Sequence, residues 1–380
     1  MAQEEYVVGR SLDSILENLP IGSVERAIGN NLYGINYRQT GNAVPRAKDG
    51  YGFAFFTRPQ LNFSTLNLTN YRGFYNLLTQ NAASYQRYTR MILDPRLNYN
   101  DRKSCPFVDS QNPFISTLTN NIVSMSGWPD LTVPVHTSES GLYGQEHSFV
   151  DGVTNHYEAY DIDATFRNTR GNPLLYLFYV WIKYQSLVFE GILNPYFDMI
   201  SENEIDYNTR IYRVITDPTK RYVTQVGCSG ASFPVNVPTG NLFDLNTDQP
   251  FNTRNAELNI RFRCMGFLAF EDIIKFWFNQ TVGIFNASMR KVLQYDRENS
   301  DEMATREDPG FVYEIPGSDY VKVPYLLGMA AELEGIDAGY LSVNHRAVPY
   351  INLHTNELEW WAPRAQFTGY GDLVSGTTDI

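Results

Sequence analysis

The chain has 380 residues, 43% of them hydrophobic and 14% aromatic, with 26 Tyr and 23 Phe, so a large core is affordable and a disordered chain is excluded. A net charge of -12 without clustered Lys and Arg argues against tight, sequence-independent binding to nucleic acid. Cys105, Cys228 and Cys264 are far apart and in no metal-like spacing, which excludes a disulfide framework or zinc knuckle and fits folding in a reducing cytoplasm.

Along the chain, residues 1–50 read as an N-terminal arm, with a short helix over Ser11–Leu19 ended by Pro20 and a strand over Leu32–Arg38. The opening MAQEEYVVGR shows no basic stretch followed by an apolar one, so no secretory signal is expected. Gly52–Asn70 is strand-like, and Arg58-Pro59 within it predicts an edge or a bend. Tyr71–Met91 carries weak helical spacing. Leu93–Asn112 is turn-rich and reads as a long surface loop.

Tyr157–Phe270 is the clearest unit. Over Tyr157–Arg167 the residues Tyr160, Ile162, Ala164 and Phe166 alternate with Asp161, Asp163 and Thr165, which predicts a half-buried strand. Asn172 fits an N-cap, Pro173 the first helical position and Gly191 the stop of an apolar helix carrying Leu174, Leu177, Phe178, Trp181, Ile182 and Val188. Its apolar run, Pro173–Ile182, is too short to span a bilayer, so no membrane partner is expected. Tyr207–Thr216 and Tyr222–Cys228 flank the turn Asp217-Pro218-Thr219-Lys220. Ala256, Leu258, Ile260, Phe262 and Cys264 alternate with Glu257, Asn259, Arg261 and Arg263, the cleanest strand in the chain. Helices are expected over Glu271–Phe278 and Ile284–Asp296. The charged stretch Arg297–Asp308 marks a boundary, giving a core over 51–297 and a C-terminal β-rich extension with a tail arm over 298–380. Short strands are expected at Phe311–Ile315, Val321–Leu326, Tyr340–His345, Val348–Leu353 and Leu358–Trp361.

No phosphate-binding loop, dinucleotide fingerprint, nucleophile elbow or zinc-protease helix is present. His147 and His156 with Glu146, Asp151, Glu158, Asp161 and Asp163 form the densest His/carboxylate stretch, but their spacing brings no ligands together. Asp161 and Asp163 point the same way and could serve as a carboxylate pair for glycosidic cleavage, although solvated strand charges are far commoner. Trp360 and Trp361 fit either a sugar platform or an anchor in an interface or core. Arg261 and Arg263 fit either exposed charges of one chain or partners for acidic residues of a neighbouring subunit. The expected core anchors are Phe178, Trp181, Ile260 and Phe262. No catalytic residue, metal or cofactor is expected.

The run Gly52-Phe53-Ala54-Phe55-Phe56-Thr57-Arg58-Pro59-Gln60-Leu61-Asn62 resembles a stretch of virion structural proteins of contractile-tailed bacteriophages. Asn112-Pro113-Phe114-Ile115, Trp128-Pro129-Asp130-Leu131, Tyr143-Gly144, the strand–helix element Thr165–Gly191 and Ile211-Tyr212-Arg213-Val214 follow in the expected order, over roughly residues 50–280. The resemblance implies an α+β, predominantly β fold: a tail-tube-like β-sandwich or barrel with one packed helix, plus N- and C-terminal extensions. It further implies a tail-tube or baseplate tube-initiator protein of the virion, made in the host cytoplasm. Such a protein closes with itself into a ring, a hexamer. The implied partners are neighbouring tail rings, sheath or baseplate proteins and the tape-measure protein, with DNA only in transit. A glycan-binding or glycan-cleaving tail component and a neck, collar or sheath-contacting protein are the alternatives.

Overall fold

A computed structural model describes residues 50–97, 105–154, 157–243, 256–286 and 289, with 292–295, 311–314, 320–323, 329–331, 341–343, 346–353 and 355–363. The helix at Ser11–Leu19, the strand at Leu32–Arg38, the charged stretch at 297–308 and the tail from 366 lie outside the described residues. In chain order the first strands are β1 (Tyr51–Phe56), β2 (Ile122–Ser126), β3 (Val135–Thr137), β4 (Ser148–Val150), β5 (Ala159–Arg167), β6 (Ile211–Thr216), β7 (Val223–Pro234) and β8 (Glu257–Ala269). After them come β9 (Val292–Tyr295), β10 (Phe311–Glu314), β11 (Tyr320–Val323), β12 (Met329–Ala331), β13 (Leu341–Val343), β14 (Val348–Ile351) and β15 (Leu358–Pro363). The helices are α1 (Thr65–Leu68), α2 (Tyr85–Leu93), α3 (Ser116–Asn121), α4 (Pro173–Phe189), α5 (Phe197–Ser201), α6 (Thr239–Phe243) and α7 (Asp272–Phe285), with a 3-10 turn at Arg72–Leu78.

Six strands form one antiparallel sheet in the order β1-β6-β7-β8-β5-β2. The fold is thus α+β with more strand than helix, the class the sequence implies. Strict alternation builds the centre of this sheet. Leu258, Ile260, Phe262 and Cys264 of β8 are buried, and the register sets Ile162 opposite Phe262 and Ala164 opposite Ile260 on the same face. Helix α4 covers that face. Phe178 lies 5.9 Å from Phe262 and 5.5 Å from Phe166, Trp181 stacks on Phe178, and its indole N–H donates to the Tyr207 carbonyl. Phe178, Trp181, Ile260 and Phe262 are all fully buried.

The ends of α4 show where local signals sufficed and where they did not. Gly191, at φ 72°, donates to Val188 O while Ile192 donates to Leu187 O, a Schellman stop. Asn172 precedes Pro173 as expected but does not cap. It adopts φ 53°, and its side-chain oxygen accepts from Asn168 Nδ2 at 2.7 Å instead of from the helix. The turn at Asp217 closes through Lys220 N–H to Asp217 O, and the Asp217 carboxylate accepts from the backbone N–H groups of Thr219, Arg221 and Tyr222.

Strand β1 feeds two cores. Ala54 and Phe56 join the cluster beneath α4, whereas Phe53 and Phe55 point into a second cluster with Tyr212, Val214 and Val226. That second cluster is closed by α7 and by a three-stranded sheet, β11-β15-β14. Trp360 sits at its centre with its ring 6.1 Å from that of Phe53 and 6.4 Å from Phe55. Asn279 of α7 binds β14 as a strand would, donating to Ile351 O at 2.7 Å and accepting from Ile351 N–H at 2.9 Å. The described part of residues 298–380 therefore shares a core with β1.

Three expectations change. Among the described residues the helix expected over Ile284–Asp296 is replaced: α7 runs unbroken to Phe285, Asn286 turns extended, and Val292–Tyr295 pairs with β10. The apolar spacing Ile274, Phe278, Val282 belongs to one helix, and β-branched and aromatic residues beyond it favour a strand. Leu93 and Asp94 are buried at the end of α2 and not part of a surface loop. Strand β1 stops at Phe56, and α1 replaces further strand before Asn70.

Replacing Ile260 or Phe262 by Asp puts an unpaired carboxylate under α4 and is expected to cost about 3–5 kcal/mol or more, giving aggregated protein. Trp360→Ala is expected to cost about 3–5 kcal/mol. Chemical denaturation and size-exclusion chromatography check both, and native-like stability in either would refute the assigned core.

Candidate assembly surfaces

The end of β1 is fixed by a buried cation. Arg58, 2% exposed, donates to the carbonyls of Met91 and Ile92 in the last turn of α2 and to those of Asp109, Ser110 and Asn112. Burial lowers its pKa to about 10, against the favourable fields of Asp109 and Asp94. The α2 C-terminus carries partial negative charge, so the guanidinium is held by backbone rather than by a bonded carboxylate. Asp94 accepts from the N–H groups of Phe63 and Arg96 and from the Tyr196 hydroxyl, yet burial pushes its carboxyl up to about 6. Next to this hub lies a cavity of about 480 Å³ lined by Arg58, Gln60, Met199, Arg210, Thr281 and Ile284, among others. Every Arg58 contact above runs to backbone, which marks it as a fastening and not as a reactive group.

Asp161 and Asp163 do share a face, and each is held by an arginine of β8. Arg263 Nη1 lies 3.0 Å from Asp161 Oδ1, and Arg261 Nε lies 3.0 Å from Asp163 Oδ1. All four side chains are between 38% and 52% exposed on the sheet surface. Arg261 and Arg263 thus already have partners in their own chain. Such exposed pairs add little stability and leave the surface charge-balanced. Trp361 is half-buried, with its indole N–H donating to Glu359. Trp360 is corrected from a contact candidate to a core residue: at 1% exposure it has no surface for a neighbour or a sugar. His147 lies on β3–β4 surroundings open to solvent, while His156 falls outside the described residues. Among the described residues no three His, Cys, Asp or Glu side chains gather as a metal site.

The outstanding surface is a ribbon that the local sequence pattern marks only weakly as a strand pair. Strands β3 and β4 pair through Val135↔Val150, His136↔Phe149 and Thr137↔Ser148, and the tip closes through Gly141 N–H to Gln145 O. Its root is firm. Gly127 takes φ 98°, where an added Cβ would stand 2.3 Å from Asp161 O, and the Trp128 ring packs 5.5 Å from Phe267. Beyond the root almost every side chain is in solvent, including Leu142 at 93%, Tyr143 at 89%, Val153 at 87% and Val150 at 62%. The adjoining strand β2 has a neighbour, β5, on one side only among the described residues, and Val123 on it is half-exposed. Alternating Val133, Val135 and Thr137 before Gly141 and Gly144 was the available sequence signal for the ribbon.

A family model described as "Putative phage tail tube protein" matches residues 8–374. The chain belongs to this phage tail tube family. No curated protein matches it. Among solved structures, the tail tube chain is similar to the anti-feeding prophage cap, a tube terminating cap, with 14% identity over 43% of this chain and 83% of that one and a TM-score of 0.26. It is also similar to the sheath/tube terminator of an extracellular contractile injection system, PVC, in the extended state, with 12% identity over 40% and 85% and a TM-score of 0.23. The sheath–tube complex of that system gives 13% identity over 41% and 82%, with a TM-score of 0.23.

For the tail tube chain the raised Asp94 carboxyl has a defined pH signature. Its folded pKa of about 6 exceeds the ordinary value of 3.8, so the folded state holds the proton more tightly. This group's contribution to stability therefore falls as pH rises from about 4 to about 6, by about 2–3 kcal/mol, and is flat above that. Denaturation series from pH 4 to 7.5 are expected to show this fall in the parent and its loss in Asp94→Asn; identical slopes in both would contradict the assignment.

Proposed function

We propose that this tail tube family chain is a ring-forming subunit of a bacteriophage tail, in the tube or at its baseplate end. Copies of the chain close into a ring, six in number as the tail-tube resemblance implies, and the ring surrounds the path along which DNA is ejected. Its other partners are the rings above and below, sheath or baseplate proteins and the tape-measure protein. It is made in the host cytoplasm and ends in the virion, and its role is structural.

The observation that carries the reading is the projecting ribbon beside a one-sided edge strand. A two-stranded hairpin is marginal in water, and this one exposes several large apolar side chains that a lone subunit gains nothing by displaying. An open edge such as β2 likewise has backbone groups that a neighbouring copy can satisfy, and a closed ring leaves none of them bare. The net charge of -12 suits a conduit wall, since it repels phosphate and does not retain it. The Asp161–Arg263 and Asp163–Arg261 pairs give a polar, patch-free sheet face that adds no sticking point.

Electron microscopy of the purified full-length chain, and mass spectrometry of virions, test this. Annular particles and a virion-borne chain are expected. A monodisperse monomer at high concentration that is missing from virions would overturn it.

A further inference from the structure

The ribbon's chemistry names the surface it fits, on the ring-forming reading above. We propose that the ribbon at residues 131–153 of one copy docks on the tyrosine-rich helical face of the next copy, the face formed by the 3-10 turn at Arg72–Leu78, α2 and α4. No Lys or Arg occurs anywhere from residue 104 to 166, and the ribbon and its root carry Asp130, Glu139, Glu146 and Asp151. Its apolar side chains, with Leu142 and Tyr143 at the tip, stand in solvent among these carboxylates.

The receiving face has the opposite character. No Asp or Glu occurs from residue 50 to 93, whereas Arg58, Arg72, Arg87 and Arg90 do. Arg87 and Arg90 are buried in α2, Arg58 is buried at the end of α2, and Arg72 is exposed on the 3-10 turn. Lys183 of α4 adds a fifth, its Nζ 5.8 Å from the centre of the Tyr71 ring. Tyr75, Tyr85 and Tyr179 are 50%, 46% and 42% exposed, and Tyr85 meets Tyr176 edge-on at 5.1 Å, joining α2 to α4. Glu190, at the far end of α4, is hydrogen-bonded to Ser186. Tyrosine presents a rigid apolar ring with a polar tip, and such residues carry much of the binding energy at protein interfaces. A ribbon of 23 residues also matches the roughly 20–30 residues that each side of a standard interface contributes. The two surfaces differ from each other, so the contact is head-to-tail and propagates around a ring.

A charge swap in the full-length protein tests the pairing. The double variants Glu139→Lys/Glu146→Lys and Arg72→Glu/Lys183→Glu are each expected to raise the concentration for half-assembly at least about tenfold in sedimentation velocity. The four substitutions together are expected to bring it back to within about threefold of the parent. Glu139, Glu146 and Arg72 are exposed and Lys183 is half-exposed, and unchanged far-UV dichroism and melting temperature confirm that each variant is folded. Assembly insensitive to either reversal, or a combined variant no better than the doubles, would overturn the docking while leaving ring formation intact. A parent that never assembles would overturn ring formation first and the docking with it.

Discussion

The strict alternation of β1 is the constraint on which the rest depends. Four consecutive residues, Phe53 to Phe56, are buried on both faces of a strand at the sheet edge among the described residues, sending Phe53 and Phe55 one way and Ala54 and Phe56 the other. A one-residue slip would exchange the two cores, so the register against β6 is firmly set. Arg58 then ends the strand by drawing the last turn of α2 and the loop at 109–112 around it. Removing the guanidinium would leave several buried carbonyls without donors, a larger penalty than losing one surface ion pair.

This construction spends its polar chemistry on fastening. Arg58, Asp94, Arg90 and Asn279 are buried and bonded largely to backbone, and each ties segments distant in sequence. Two of the surfaces left outside differ sharply. One is a charge-paired sheet face, and the other is a rooted ribbon with apolar side chains in water. The second leaves apolar side chains available for association.

Much of the scaffold was legible in the sequence because its signals are local. The period-two pattern of β8, the Pro173 and Gly191 limits of α4 and the Asp217 turn each depend on neighbours a few residues away. Non-local effects were not legible. The cap expected at Asn172 gave way to a contact with Asn168, and Trp360 found Phe53 three hundred residues earlier and was drawn inside. The Arg58 hub joins carbonyls 33 to 54 residues away, which no periodicity reports. The ribbon gives a weak signal for a different reason: both its faces are wet, so the inside-to-outside contrast that usually marks a strand is missing. The alternation of β8 sets Arg261 and Arg263 outward, and their cross-strand partners follow only from the register with β5.

Hydrogen exchange followed by mass spectrometry, on the free subunit and on assembled particles, tests the central claim most directly. The account predicts strong protection of β5 and β8 in both states. In contrast, amides of residues 131–153 exchange freely in the subunit and slow by at least about tenfold on assembly. A ribbon already protected in the free subunit, or one still unprotected in the particle, would contradict it.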